Sequence, residues 1–334
     1  MQKYKGYFLL LIITILLIIM IITSDKQLNE YSHNLFYMDT YINVKVYSNN
    51  KIKAKKVLNE VEKIYEKYHQ LTDRYHAYDN IKNIYYINNN TDNIETITIE
   101  KELYDIIKYG IDFYEKSNGL LNINIGNVID VWKKYRESKN GVPTYEELKS
   151  SGSINVSDIV LLDNNQILNN HPNIDLGAIA KGYVTQIVGN YLKEQGFNKF
   201  LIYAGGNVLV GDHYKNDVYK IGIENPTKSG DIYKIVKSNN MAVVTSGGYE
   251  RFYEYEGNIY HHIIDPNTLM PPNYMKSVTV ITNDSALGDA LSTTLFLMSI
   301  EEGKEYIKQF NNVEAIWYTN DNTIIKSDGF DKYE

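Results

Sequence analysis

A series of short strand-like segments in the second half of the chain most constrains the fold. Five of them follow one another with no helical segment between: KFLIYAGG, NVLVGD, VYKIGI, MAVVTSGG and NIYHHIID. Because consecutive strands usually pair as antiparallel neighbours, this series predicts an α+β fold with largely antiparallel sheets and packed helices.

Apolar residues at helical spacing predict the helices. This spacing covers residues 54–75, 101–117 and 181–196, and Gly196 stands where a C-terminal glycine belongs. A further helix follows SVTVIT, with Asp284 or Ser285 as its N-cap, and another lies near 302–311. In the first half, LFYMDTYINVKVYS alternates as one half-buried strand does.

Composition excludes several classes of function. The net charge of −7, with 34 basic and 41 acidic residues, argues against nucleic-acid binding, which depends on neutralising phosphates. The chain has no cysteine, so disulfides, thiolate catalysis and Cys-ligated zinc are excluded. Its 334 residues can bury a sizeable core.

The first residues predict a membrane anchor. The segment from Gly6 to Thr23 carries no charge, and as a helix it would span about 27 Å, close to a bilayer core. A cleaved signal peptide is the alternative, but its apolar region would usually be shorter. Lys3 and Lys5 precede the span, which predicts a single-pass anchor over residues 1–24 with the rest of the chain on the extracytoplasmic side. We expect a tether over 25–35 and one domain over 36–334.

The stretch IDLGAIAKGYVTQIV combines an acid, two glycines and a lysine where a helix begins. Asp175 and Gly177 come first, then Lys181 and Gly182. Backbone N–H groups at a helix start, with a lysine nearby, bind anions such as phosphate. A plain strand–turn–helix junction explains the same residues, so this stretch alone leaves both interpretations open.

Two further segments hold candidate ligands. Asp289 and Thr293 are four residues apart in GDALSTT, so a helix places both on one face, where hard oxygen atoms suit Mg²⁺ or Ca²⁺. A paired Asp289 and a Thr293 that bonds its own helix are the alternative. In YHHIIDPNT, strand neighbours point to opposite faces, so at most one of His261 and His262 faces a given site.

Taken in order, these motifs resemble those of the FAD:protein FMN transferases, the ApbE family. The resemblance covers roughly residues 36–330. It rests on YMDTYINVKVY, NGLLNINIGNVIDVW, DLGAIAKGY, AGGN, IGIENP, TSGGYERFY, HHIIDPNT and the final strand and helix SVTVITNDSALGDALSTTLFLM. It implies an α+β domain of the tunnelling-fold-like kind.

The resemblance also implies site residues. Asp175 and Lys181 would lie near the FAD diphosphate, and Asp289, Thr293 and the main-chain carbonyl of Ala178 would hold Mg²⁺. His262 would lie near the diphosphate, and His262 and Asp175 are the catalytic candidates. The flavin and adenosine regions would be lined by Met38, Tyr75, Leu120, Leu121 and Asn122.

The implied reaction is phosphoryl transfer. A Ser or Thr hydroxyl of an extracytoplasmic acceptor flavoprotein attacks the FMN-side phosphorus of FAD, AMP leaves, and a nearby carboxylate or His262 takes the proton. An FAD pyrophosphatase and a non-catalytic flavin-binding module are the alternatives. The chain departs from the family pattern at five positions: Asp39 and Leu269 replace glycine, Asn122 replaces Asp, Asn124 replaces Thr, and Gln186 replaces an acid.

Overall fold

The computed structural model describes residues 28–90 and 96–334, together with the isolated positions Tyr7 and Thr14. The strands are β1 (Asn29–Tyr37), β2 (Thr40–Ser48), β3 (Thr96–Thr98), β4 (Ile159–Leu162), β5 (Gln166–Asn169), β6 (Phe200–Ala204), β7 (Asn207–Val210), β8 (Tyr219–Glu224), β9 (Ile232–Ser238), β10 (Ala242–Gly247), β11 (Phe252–Tyr255), β12 (Asn258–His261), β13 (Met275–Thr282), β14 (Glu314–Thr319) and β15 (Ile324–Lys326). The helices are α1 (Lys51–Thr72), α2 (Ile84–Asn89), α3 (Lys101–Lys116), α4 (Gly126–Ser138), α5 (Tyr145–Ser150), α6 (Ala180–Glu194), α7 (Ser285–Phe296) and α8 (Ile300–Ile307).

One eight-stranded sheet organises the fold. Its order is β1-β2-β6-β7-β10-β13-β14-β15, and each neighbouring pair is antiparallel. Strands β3, β5 and β4 form a smaller sheet, and β8–β9 and β11–β12 form two hairpins. The predicted α+β class with antiparallel sheets is confirmed.

The two faces of the main sheet are covered by different elements. Val244 of β10 points into a core that it shares with α1 and α6, through residues such as Val61 and Val188. Its neighbour Val243 points to the other face and packs against the β8–β9 hairpin, through residues such as Ile221. Because successive strand residues alternate between faces, a single run such as AVVT contributes to both cores.

The first strand differs from its prediction. Residues 35–48 are not one strand, because a two-residue turn at Met38 and Asp39 divides them between β1 and β2. Both turn residues have positive φ, 55° and 54°, as a type I′ hairpin requires. Aspartate tolerates this conformation better than most residues, which explains how Asp39 stands where the family has glycine.

The predicted tether is corrected as well. From Asn29 onward the chain pairs with β2, so residues 29–35 belong to a strand rather than to a tether. The segment reads as polar because Glu30, Ser32 and Asn34 occupy the exposed face of an edge strand. The polar composition of this segment therefore comes from the alternation of exposed and buried residues along a strand, and not from a lack of structure.

The predicted anchor over residues 1–24 lies outside the described residues, apart from Tyr7 and Thr14. In the ranges that the structure describes, no helix combines the length and the apolar character that crossing a bilayer requires.

Helix α7 begins as one of the two predicted alternatives. Asp284 is the N-cap, and its side chain accepts the N–H groups of Ala286 and Leu287 at 2.8 and 3.1 Å. The next helix, predicted near 302–311, begins earlier, because Ser299 and Glu302 form a capping box. Gly196 follows α6 with φ of 79°, as predicted for a C-terminal glycine.

Candidate active site

The candidate site lies where the first turn of α6 packs against the first two turns of α7. The closest approach is at Gly182, where a Cβ atom would lie 2.3 Å from Asp289 Cβ and 2.4 Å from the Ser285 carbonyl oxygen. Neither neighbour can move without displacing a helix, so only glycine allows this crossing. Helix packing therefore explains why glycine follows lysine in the sequence motif.

Asp289 is bound to the start of α6. Its side chain is 5% exposed, and Oδ2 accepts the Gly182 N–H at 2.7 Å. Burial raises the pKa of Asp289, while the Lys181 ammonium and the Gly182 N–H act in the opposite direction. Asp289 thus has the hydrogen-bonding partner that the alternative interpretation predicted, but only at Oδ2. Within the described ranges the other oxygen, Oδ1, accepts no hydrogen bond.

The same hydrogen bond leaves a carbonyl group available. In a regular helix the Gly182 N–H would donate to the carbonyl of Ala178, four residues earlier. Here it donates to Asp289, and no other backbone N–H of the described chain donates to the Ala178 carbonyl. Two oxygen atoms thus remain as potential ligands at one place in the fold.

Thr293 follows Asp289 by one turn on the same side of α7. It does not bond back to its own helix, which Thr294 does instead, and its Oγ1 lies 3.5 Å from Ser246 Oγ. The carboxylate, the hydroxyl and the carbonyl are hard oxygen donors that fit Mg²⁺. No cluster of three or more His, Cys, Asp or Glu side chains occurs in the described residues, so the candidate metal set rests on one carboxylate.

Asp175 shapes the turn before α6. Its Oδ1 accepts the Gly177 N–H at 2.8 Å, and its Oδ2 lies 3.1 Å from Nη1 of Arg74. Both oxygens are engaged, which suits a shaping role, and the catalytic role of Asp175 stays a prediction. Lys181 extends over the same turn, with Nζ 3.3 Å from the Gly177 carbonyl. The N-cap residue of α6, Ile179, provides no side-chain cap for the N–H groups there.

The two histidines differ in environment. His261 is 7% exposed and lies 2.8 Å from the Pro272 carbonyl through Nε2, so it is a structural residue. His262 has a buried Nδ1 without a hydrogen-bond partner among the described residues. Burial lowers the pKa of His262 to about 3, with further contributions from His261, Arg251, Lys181 and Arg136. His262 is therefore neutral at physiological pH and faces several cations.

Three predicted flavin-lining residues lie at accessible positions. Met38 is half-buried in the β1–β2 turn and its N–H donates to Nδ1 of His69 at 3.3 Å. Tyr75 is 41% exposed, and the Lys133 ammonium lies 3.9 Å from the centre of its ring. Leu120 packs at the margin of the core.

Leu121 and Asn122 are placed differently. The side chain of Leu121 is 2% exposed inside the core, so any ligand contact there falls to its backbone. Asn122 donates from Nδ2 to the Ile154 carbonyl at 2.8 Å and accepts the Asn124 N–H.

The other departures from the family pattern have local explanations. Asn124 donates to the Asn155 carbonyl at 2.8 Å, so its amide, like that of Asn122, holds the loop before β4 through a donor that an ionised Asp would lack. Gln186 accepts the Ser285 N–H at 2.8 Å and so secures the start of α7. Leu269 has a positive φ of 60°, and its side chain fills a core with Trp132.

Sequence reasoning missed the arginines. The chain has only three, at 74, 136 and 251, among its 34 basic residues, and all three lie around this site. Arg251 accepts the His262 N–H on its carbonyl oxygen at 3.1 Å. Their rarity was the available signal, because a lysine-rich chain retains arginine where a planar cation with several donors is needed.

Asn207 is a second missed residue. It belongs to the AGGN motif, is fully buried, and accepts the Ser285 hydroxyl at 2.8 Å. Its Nδ2 has no acceptor in the part of the chain that is described, and this atom lies 3.0 Å from where a Cβ on Gly182 would be. An unused buried donor beside Asp289 is what a site for an oxygen-rich ligand would contain.

The fold and the site define the class of protein. The chain belongs to the ApbE family, whose profile matches residues 38–317. It is 32% identical over 240 residues to the FAD:protein FMN transferase of Klebsiella pneumoniae (strain 342), covering 69% of this chain and 73% of that protein. It is 28% identical over 246 residues to the Vibrio cholerae protein of the same name, with 72% of each chain covered.

Solved structures share the fold. The ApbE protein of Thermotoga maritima superposes with a TM-score of 0.82 at 25% identity, over 92% of this chain and 99% of that one. The flavin transferase ApbE from Vibrio cholerae superposes with a TM-score of 0.77 at 24% identity, over 92% of this chain and all of the other.

Proposed function

We propose that this protein transfers FMN from FAD to a Ser or Thr hydroxyl of an acceptor flavoprotein and releases AMP. One observation carries the proposal: the Gly182 N–H binds the buried Asp289, so that a carboxylate, a free carbonyl and the start of α6 meet beside Lys181. This combination suits a metal-bound diphosphate. Membership of the ApbE family, and relatives named as FAD:protein FMN transferases, support the same function.

The reaction consists of one displacement at phosphorus. The acceptor hydroxyl oxygen attacks the FMN-side phosphorus, the bond from that phosphorus to the bridging oxygen breaks, and AMP leaves with the bridging oxygen. Lys181 offsets the charge on the phosphate oxygens with its ammonium group and with its backbone N–H, which, unlike those of Ala180, Gly182 and Tyr183, donates to no other group of the described chain. The attacking hydroxyl loses its proton to a base of the protein.

The metal would be Mg²⁺ held by Asp289, Thr293 and the Ala178 carbonyl. The donor set fits, because all three residues offer hard oxygen atoms, and Oδ1 of Asp289 and the Ala178 carbonyl accept no hydrogen bond within the described ranges. When bound, such an ion polarises the phosphate oxygens as a Lewis acid.

We assign the proton acceptor to His262. Its Nδ1 is buried and has no donor or acceptor elsewhere in the described chain, while both oxygens of Asp175 already carry hydrogen bonds. The low pKa of His262 follows from burial among cations. An anionic diphosphate placed between these cations raises that pKa and makes the imidazole a better base.

We further propose that residues 1–24 anchor the protein in the membrane as a single uncleaved span, with the enzyme domain on the extracytoplasmic side. The charge-free segment and the lysines before it support this topology. Protease added to intact cells should then digest the domain, and a C-terminal reporter that is active only in the cytoplasm should stay inactive. An active reporter would reverse the proposed orientation.

Incubation with FAD, Mg²⁺ and a candidate extracytoplasmic flavoprotein tests the transfer. We expect fluorescent flavin to remain on the acceptor after denaturing electrophoresis, and one AMP to appear for each flavin attached. An acceptor whose target Ser or Thr is replaced by Ala is the matched control and should stay unlabelled.

The same assay separates the alternatives. Free FMN and AMP without labelled acceptor would favour an FAD pyrophosphatase, in which water replaces the hydroxyl. Unchanged FAD that is nevertheless bound would favour a flavin-binding module. Either result would refute the proposed transfer to that acceptor.

A further inference from the structure

The buried guanidinium of Arg74 forms hydrogen bonds that connect the segment after α1, helix α4 and the turn before α6. Its side chain is 7% exposed, and Nη1 lies 3.1 Å from Asp175 Oδ2. Nη2 lies 2.8 Å from Asp130 and donates at 2.6 Å to the Asn173 side-chain oxygen. One guanidinium therefore joins three elements that are far apart in the sequence.

The fold leaves a specific space for this group. A Cβ atom on Gly126 would lie 2.6 Å from Arg74 Nη2 and 2.2 Å from the Asn173 side-chain oxygen. Glycine at the first position of α4 therefore lets the guanidinium lie against the helix end. Lysine, with a single compact ammonium, cannot serve three acceptors in this plane, which explains an arginine in a chain that has only three.

Asp175 transmits the effect of Arg74 to the site. With Oδ2 held by the guanidinium, Oδ1 accepts the Gly177 N–H and fixes the turn from which α6 begins. That turn carries the Ala178 carbonyl, and the Gly177 carbonyl contacts Lys181. A rotated Asp175 would release the turn and move the groups proposed to hold the metal and the diphosphate.

We infer that Arg74 is a positioning residue for the diphosphate site: it orients Asp175 and thereby the turn before α6, without itself binding the phosphates. This inference deepens the proposed function and rests on it. The predicted consequence is a loss of FAD affinity when Arg74 is changed, and the loss acts through Asp175.

A double-mutant cycle measured by FAD binding to the full-length protein tests the inference. Arg74→Gln and Asp175→Asn should each weaken FAD binding about tenfold to a hundredfold, which is the usual scale of a lost charged hydrogen bond. The double variant should be no more than about threefold weaker than the worse single variant, because both changes release the same turn. Arg74→Lys should restore little of the affinity.

Lys67→Gln is the matched control. Lys67, on α1, also forms ion pairs with two carboxylates. Its Nζ lies 3.1 Å from Glu100 and 2.9 Å from Glu102, and these pairs lie at the surface. We expect its FAD affinity to stay within twofold of the parent protein. Riboflavin, which lacks the diphosphate, should bind the parent protein and Arg74→Gln equally.

Two results would overturn the inference. In one, Arg74→Gln lowers the melting temperature but leaves FAD affinity unchanged well below that temperature, as a merely structural ion pair would. In the other, the two single losses multiply in the double variant. Because the readout is FAD binding, it stands apart from acceptor labelling, so a failed transfer assay and a failed positioning role are distinguishable.

Discussion

Replacing Asp289 by Asn should stabilise the metal-free protein while it abolishes the proposed metal-dependent activity. The carboxylate is 5% exposed with one N–H donor, and burial raises its pKa because the charged form loses its hydration. The Gly182 hydrogen bond weakens from about 1.5–3 kcal/mol to about 0.5–1.5 kcal/mol when its acceptor becomes neutral. Against this loss stands the cost of a buried ion, several kcal/mol, which the amide avoids.

The net gain should be about 1–3 kcal/mol in the free energy of unfolding, or about 2–4 °C in melting temperature for each kcal/mol. Since the folded-state pKa is raised, the difference from the parent protein should shrink as the pH falls and the carboxyl becomes protonated. Thermal unfolding with and without Mg²⁺ and FAD measures both effects. The parent protein should gain stability from the ligands and Asp289→Asn should not.

Asp284→Asn is the control on the same helix, because asparagine caps a helix as well as aspartate does. It should neither raise the melting temperature nor remove the response to Mg²⁺. A lower melting temperature for metal-free Asp289→Asn, or an undiminished response to Mg²⁺, would refute the reasoning.

Three further predictions concern other residues. Lys181→Met should weaken FAD binding by about 10- to 150-fold and leave riboflavin binding unchanged, and equal FAD affinities by calorimetry would exclude a phosphate contact. Leu269→Gly should relieve strain worth about 1–2 kcal/mol but lose buried contacts worth about 2–5 kcal/mol, so urea unfolding should show a net loss of stability rather than a gain. Because the pKa of His262 is lowered in the folded protein, the contribution of its neutral form to stability is complete above pH 6.5 and is lost as the pH falls toward 3. Its imidazole NMR signals should therefore show no titration between pH 8 and 5, and a titration midpoint near 6.5 would contradict the described burial.

The sequence predicted what local patterns determine. Helix spacing placed Asp289 and Thr293 on one face, and the acid–glycine–lysine order indicated where α6 begins, while the anion site there stays a prediction. Those features depend on residues within one or two turns of each other. The class of fold followed for the same reason, since alternating segments predict strands wherever they pair.

Contacts between distant segments could not be predicted in this way. Arg74 and Asp175 are 101 positions apart, and neither segment alone indicates the other. The β1–β2 turn was missed because an aspartate with positive φ carries a weaker turn signal than the glycine that usually stands there. Asn122 and Asn124 read as departures from a motif, whereas each amide binds a backbone carbonyl of a loop some thirty residues later.

The bond between Gly182 and Asp289 has a consequence for the energetics of cation binding at the proposed metal site. Because a backbone N–H of α6 already fixes the orientation of the carboxylate, the side chain loses little rotamer freedom when a cation binds. The Ala178 carbonyl is freed by the same bond, so it too exchanges no internal hydrogen bond for the ligand. The folding of the chain has therefore already met the entropic and reorganisation costs of assembling this site, and more of the interaction energy with the ligand remains as affinity.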